Sequence, residues 1–159
     1  MTRHVDQIEF QADHLEAVLA VLAVMADLAN RRDGWVNLQP AVPEEDLPPP
    51  PSGFGALFPS PSFDVPLGTW MPGRDAEAPD SVGLQHAAQR KVAGPLAGLE
   101  LTIPEGWVLR QDHPRRGLVI DLPPGTPPAA VLGWLIPAAT ALCLLPLTGD
   151  WRALVHRRS

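Results

Sequence analysis

Trp107-Val108-Leu109-Arg110-Gln111, then Asp112-His113-Pro114-Arg115-Arg116-Gly117, then Leu118-Val119-Ile120-Asp121-Leu122 is the stretch that decides the fold. Two short alternating runs flank a segment whose Pro114 and Gly117 are turn formers, and that pattern predicts a β-hairpin. Just downstream, Thr126 stands before Pro127, and proline suits a first helical position because the N–H it lacks would have no intrahelical partner there. A helix capped by Thr126 and bent at Pro137 is therefore expected to run to about Cys143, with a strand over 151–156 after it. Hairpin, helix and strand in that order argue an α+β domain: an antiparallel sheet of about five strands with helices on one face.

Upstream, Asp13 followed by Glu16 has the form of a capping box, which predicts a helix over 13–30. Leu15, Val18, Leu19, Leu22, Met25, Ala26 and Ala29 keep helical spacing, and Arg31 and Arg32 complement the dipole at its C-terminal end. Val21, Val24 and Leu28 widen the apolar face beyond what one small core covers, so self-association through this helix, as a symmetric dimer, is expected. A short strand is read over 35–38. Phe63, Val65, Leu67, Thr69 and Met71 alternate with Asp64, Pro66, Gly68 and Trp70 at the period of a half-buried strand, which Pro66 assigns to a sheet edge. Val82, Leu84 and His86 alternate in the same way, before a short helical stretch within 87–99 interrupted by Gly94-Pro95.

Of 20 prolines, 10 fall within 40–72. Residues 40–62 read as a long irregular Pro-rich arm of a single domain spanning 1–159, with Pro48-Pro49-Pro50-Pro51 extended because each ring fixes φ and removes a donor. The arm is either a surface linker, the favoured reading, or a docking peptide for an aromatic-lined groove.

The chain of 159 residues carries 12 Lys+Arg against 18 Asp+Glu, a net charge of −6, which repels a phosphate backbone and argues against nucleic acid as a partner. The charge is uneven: residues 1–100 hold 6 basic and 14 acidic groups, and residues 101–159 hold 6 and 4. The acidic start, with Asp6, Glu9, Asp13 and Glu16, lacks the form of a secretion signal, so a cytoplasmic protein is expected. The uncharged stretch over 129–147 raises a membrane reading, which Pro137, Pro146 and Gly133 weaken; a buried helix is expected instead. A lone cysteine, Cys143, excludes an intramolecular disulfide and reads as a small buried hydrophobe. The histidines, His4, His14, His86, His113 and His156, lack the spacing of paired ligands, so no metal is expected, and no cofactor motif is present.

The strongest catalytic candidates are His86, Asp112 and His113, because a histidine can shuttle a proton at neutral pH and a carboxylate can orient it. Arg115 and Arg116 at the hairpin tip form a cationic knob able to take a carboxylate or phosphate in bidentate fashion. No spacing in the sequence brings these groups together, and a buried histidine is usually held by structural hydrogen bonds. Trp35, Trp70 and Trp107 stand at strand ends, suited to half burial; together with Trp134 and Trp151 they read as sheet and core anchors rather than a ligand cage.

Asp33-Gly34-Trp35-Val36-Asn37-Leu38-Gln39-Pro40, Leu84-Gln85-His86, Gly106-Trp107, the segment from Gln111 to Val119, and Pro146-Leu147-Thr148-Gly149 with Trp151-Arg152 resemble small proteins of high-GC actinobacteria for which no activity is known. The resemblance covers most of the chain after the first helix. It implies a soluble bacterial protein and transfers no catalytic residue. The expectation is a cytoplasmic binding or regulatory protein acting through protein–protein contact, not an enzyme. The alternative is a small hydrolase or transferase that uses His86, Asp112 and His113 with an arginine anion site.

Overall fold

A computed structural model describes residues 4–46 and 64–158. The elements in chain order are β1 (His4–Gln11), α1 (Leu15–Arg31), β2 (Gly34–Pro40), a 3-10 turn (Glu44–Asp46), β3 (Leu67–Met71), β4 (Ser81–Gln85), α2 (Ala93–Gly98), β5 (Val108–His113), β6 (Gly117–Asp121), α3 (Pro128–Leu142) and β7 (Asp150–Arg157). The fold is α+β, with one antiparallel sheet in the order β1-β7-β2-β3-β4-β6-β5.

Among the described residues the sheet has seven strands, not about five. The added strand at one end is β1, whose only inward apolar residues are Ile8 and Phe10; apart from the exposed Val5 its other positions are polar or charged, as suits an edge strand that must not recruit neighbours. β7 lies inside the sheet, pairing with β1 on one side and β2 on the other. The Pro-rich arm predicted over 40–62 is described only at its start, where Pro40 ends β2 and Glu44–Asp46 forms the 3-10 turn. The remainder of that arm, including the four consecutive prolines, lies outside the described residues.

Strand register explains the core. Ile8, Ala153, Leu38, Gly68, Leu84, Leu118 and Asp112 form one row across all seven strands; Val155, Val36, Trp70, Val82 and Ile120 form the next. Apart from Ile8 and Asp112 these positions are buried, because side chains alternate faces and both rows point toward α1 and α3. Gly68 is small for a reason: a Cβ there would meet the side chain of Leu135 on α3. α1 contributes Val21, Met25 and Leu28 to this core, and α3 contributes Val131, Leu132, Trp134, Leu135, Ala138 and Ala139. The two long helices pack side by side on one face of the sheet, α1 over β1 and β2 and α3 over β2, β3 and β4.

Several local expectations need correction. α1 starts at Leu15 after His14, and no side chain caps it, so Asp13 and Glu16 do not make a capping box. Thr126 does not cap α3 either; its hydroxyl donates to the Pro123 carbonyl at 2.6 Å, and Pro127 occupies the cap position. β3 begins after Pro66 and sits between β2 and β4, so the proline opens an interior strand instead of marking an edge. Its buried side is Gly68 and Trp70, the opposite parity to the one that Leu67, Thr69 and Met71 suggest, because Trp70 buries more apolar surface than either neighbour. Cys143 is half-buried, with Sγ 3.6 Å from the Asp64 carbonyl and 3.5 Å from that of Leu145. Among the described residues no helix is long and apolar enough to cross a membrane.

Candidate functional site

His86 ends the inward alternation of Val82 and Leu84 and is 2 % exposed. Its Nδ1 accepts the Ala88 N–H at 3.2 Å, which places the proton of the neutral ring on Nε2, a buried atom with no hydrogen-bond partner among the described residues. Burial pushes the imidazole below its ordinary value, and the Asp112 carboxylate offsets part of that shift. Asp112, at the end of the inward row, accepts the N–H groups of Val92 and Ala93 at 3.0 and 3.1 Å. Both oxygens are thereby committed to the backbone where α2 begins, and no hydrogen bond joins Asp112 to His86.

His113 points the other way. One residue beyond Asp112 in the strand, it belongs to the opposite face of the sheet, and its Nδ1 accepts the N–H groups of Arg115 and Arg116, both at 3.1 Å. The ring closes its own turn. Gly117 completes that turn with φ +81°, where a Cβ would also run into the Leu84 carbonyl, so this position needs glycine. The structure therefore brings His86 and Asp112 to one face and leaves His113 on the other. Arg115 and Arg116 are exposed at the tip, and neither makes an ion pair among the described residues. They form a cationic tip on the hairpin.

The tryptophans divide differently from expectation. Trp70, Trp134 and Trp151 are buried, whereas Trp35 and Trp107 are half-buried; Trp70 is thus a core residue of β3 and not a half-exposed strand end. Trp134 donates to the Leu101 carbonyl at 3.3 Å and meets Trp107 edge-on at 6.0 Å. On the sheet face away from the helices, Trp35 stacks on His156 with ring centroids 4.7 Å apart. Beside them runs a polar chain in which Thr69 donates to Asn37 at 3.0 Å and the Asn37 amide lies 3.2 Å from His156 Nε2. These contacts tie β2, β3 and β7 together.

The helix layer carries the most unusual surface. Leu15 and Leu19 on α1 are 68 % and 50 % exposed. Four residues apart, they form one ridge of the helix, which leads into an open groove of about 360 Å³ between α1 and α3. Val18 and Leu22 line one wall; Ala129, Gly133, Ile136 and Pro137 line the other. No charged residue occurs from Ala17 to Ala26 on α1 or anywhere in α3. The sequence signal was present in the width of the apolar face of α1, but the groove depends on α3 lying beside it and is not readable from either helix alone. Among the described residues no group of three or more His, Cys, Asp or Glu side chains could hold a metal ion. No protein-family model matches the chain, and no curated protein or solved structure matches it.

Proposed function

We propose that the chain is a cytoplasmic binding or regulatory protein that acts through protein–protein contact at the apolar face of its helix layer. The observation that carries this is the exposure of Leu15 and Leu19 beside an uncharged groove. Large aliphatic side chains grouped over a concave apolar surface mark an interaction site, whereas scattered single ones need no explanation. The groove has the form that accepts an amphipathic helix by its apolar residues.

A hydrolase or transferase built on His86, Asp112 and His113 finds less support. Each of the three spends its acceptor atoms on nearby backbone N–H groups, and His113 faces away from the other two. General acid–base work needs such groups within reach of one substrate atom.

Panning a random peptide display library against the protein immobilised at low density tests the proposal. Enrichment of amphipathic apolar peptides is expected, lost in the double variant Leu15→Glu, Leu19→Glu. No enrichment, or enrichment that the variant retains, contradicts it.

A further inference from the structure

Resting on that reading of the helix face, we infer that its partner is a second copy of this chain, docked about a two-fold axis with α1 antiparallel to its counterpart. The surface carries both halves of a self-complementary contact. Leu15 and Leu19 protrude from α1, and the groove walled by Val18, Leu22 and Ile136 lies alongside them, so one rotation seats the leucine ridge of each copy in the groove of the other. An isologous interface demands this pairing of projection and recess on one patch.

Charge supports the same arrangement. A chain of net charge −6 repels its copy over most approaches, and the helix layer is where that repulsion is weakest, because the ridge and groove carry no charge. Glu16 at the start of α1 is exposed, whereas Arg31 at its end is already paired with Asp33 of its own chain at 2.9 Å. Antiparallel placement keeps the Glu16 carboxylates of the two copies at opposite ends of the paired helices, while parallel placement sets these like charges side by side. A membrane surface fits less well, since such a face is normally bordered by several Lys or Arg, and here Glu16 and Asp27 border it.

The area suffices. Helices of 17 and 15 residues, each about 10 Å across, present roughly 25 by 20 Å, which is about 1,000 Å² over two copies. A specific interface needs about that much, so a reversible dimer is expected rather than an obligate one.

Sedimentation velocity over a concentration series provides the test, run on the parent, on Leu15→Glu with Leu19→Glu, on Leu15→Ala with Leu19→Ala, and on Val5→Glu. Val5 is 44 % exposed on the opposite face of the sheet. The parent should approach twice 17.1 kDa as concentration rises. The glutamate pair should weaken association by about 100-fold or more, because each interface would bury unpaired carboxylates. The alanine pair should weaken it without added charge, and Val5→Glu should leave it unchanged. A parent that stays monomeric at high concentration overturns the second-copy inference; if it still enriches groove-dependent peptides, protein binding at this face survives. A dimer that persists in both leucine double variants overturns the inference by placing the contact elsewhere. A monomer that enriches no peptide removes both, and a monomer that floats with neutral phospholipid vesicles assigns the face to a membrane and overturns both as well.

Discussion

The Asp112 carboxylate accepts the Val92 N–H through Oδ1 at 3.0 Å, bridging 20 residues of chain to anchor α2 against the hairpin. The companion bond from the Ala93 N–H to Oδ2 makes the carboxylate a two-oxygen cap for the start of that helix. Asp112→Ala should therefore cost about 1 to 2 kcal/mol, the range of a lost helix cap. Asp112→Asn should recover part of the loss, since its single carbonyl oxygen replaces one of the two acceptors. Chemical denaturation checks both; an alanine variant as stable as the parent would show that the cap contributes nothing.

Stability should also fall at mildly acidic pH because of His86. Burial lowers its pKa in the folded state, so the unfolded chain takes up the proton first as pH falls through the ordinary histidine value near 6.5. The neutral ring's contribution is full above that value and is lost progressively down to the folded-state pKa. Asp75, whose carboxyl is lowered by N–H bonds from Ala78 and Glu77, acts separately: its contribution is lost only as pH falls through and below the ordinary value of 3.8. His86→Asn keeps an acceptor for the Ala88 N–H and removes the titration, so its melting temperature should depend less on pH in the histidine window. A parent and variant with parallel pH profiles would contradict this account.

At the other end of the hairpin, Gly117→Ala should destabilise by about 2 kcal/mol or more, because a residue with a Cβ is strained at positive φ and the added atom meets the Leu84 carbonyl. Thermal unfolding reads the loss. An unchanged melting temperature would require the hairpin to rearrange.

Arg115→Ala with Arg116→Ala should leave both stability and self-association nearly unchanged, since exposed guanidinium groups without ion pairs contribute little. A marked drop in either, by calorimetry or sedimentation, would give the cationic tip a role that the helix face lacks.

What the sequence showed and what it concealed follow from the range of the interactions involved. The hairpin was legible because alternation in Leu118 and Ile120 and the turn chemistry of Pro114 and Gly117 are local. The apolar width of α1 was legible for the same reason. The parity of β3 was not, because Gly68 offers no apolar side chain to mark the core side and the space there is filled by Leu135 from 67 residues downstream. Likewise β1 was missed because an edge strand needs only Ile8 and Phe10 inward, too few to stand out among polar neighbours. The candidate catalytic residues were read from chemical type alone; their backbone partners, which assign them structural work, depend on the folded chain. The groove, too, exists only once α1 and α3 lie side by side.

Amide chemical-shift mapping of the concentrated and the diluted protein tests the central claim most directly. If two copies of the chain meet at the helix layer, dilution shifts the resonances of residues 15–26 in α1 and 129–137 in α3 while the hairpin tip and the opposite sheet face stay still. Shifts centred on Arg115 and Arg116 or on Trp35, or a spectrum unchanged by dilution, would contradict it.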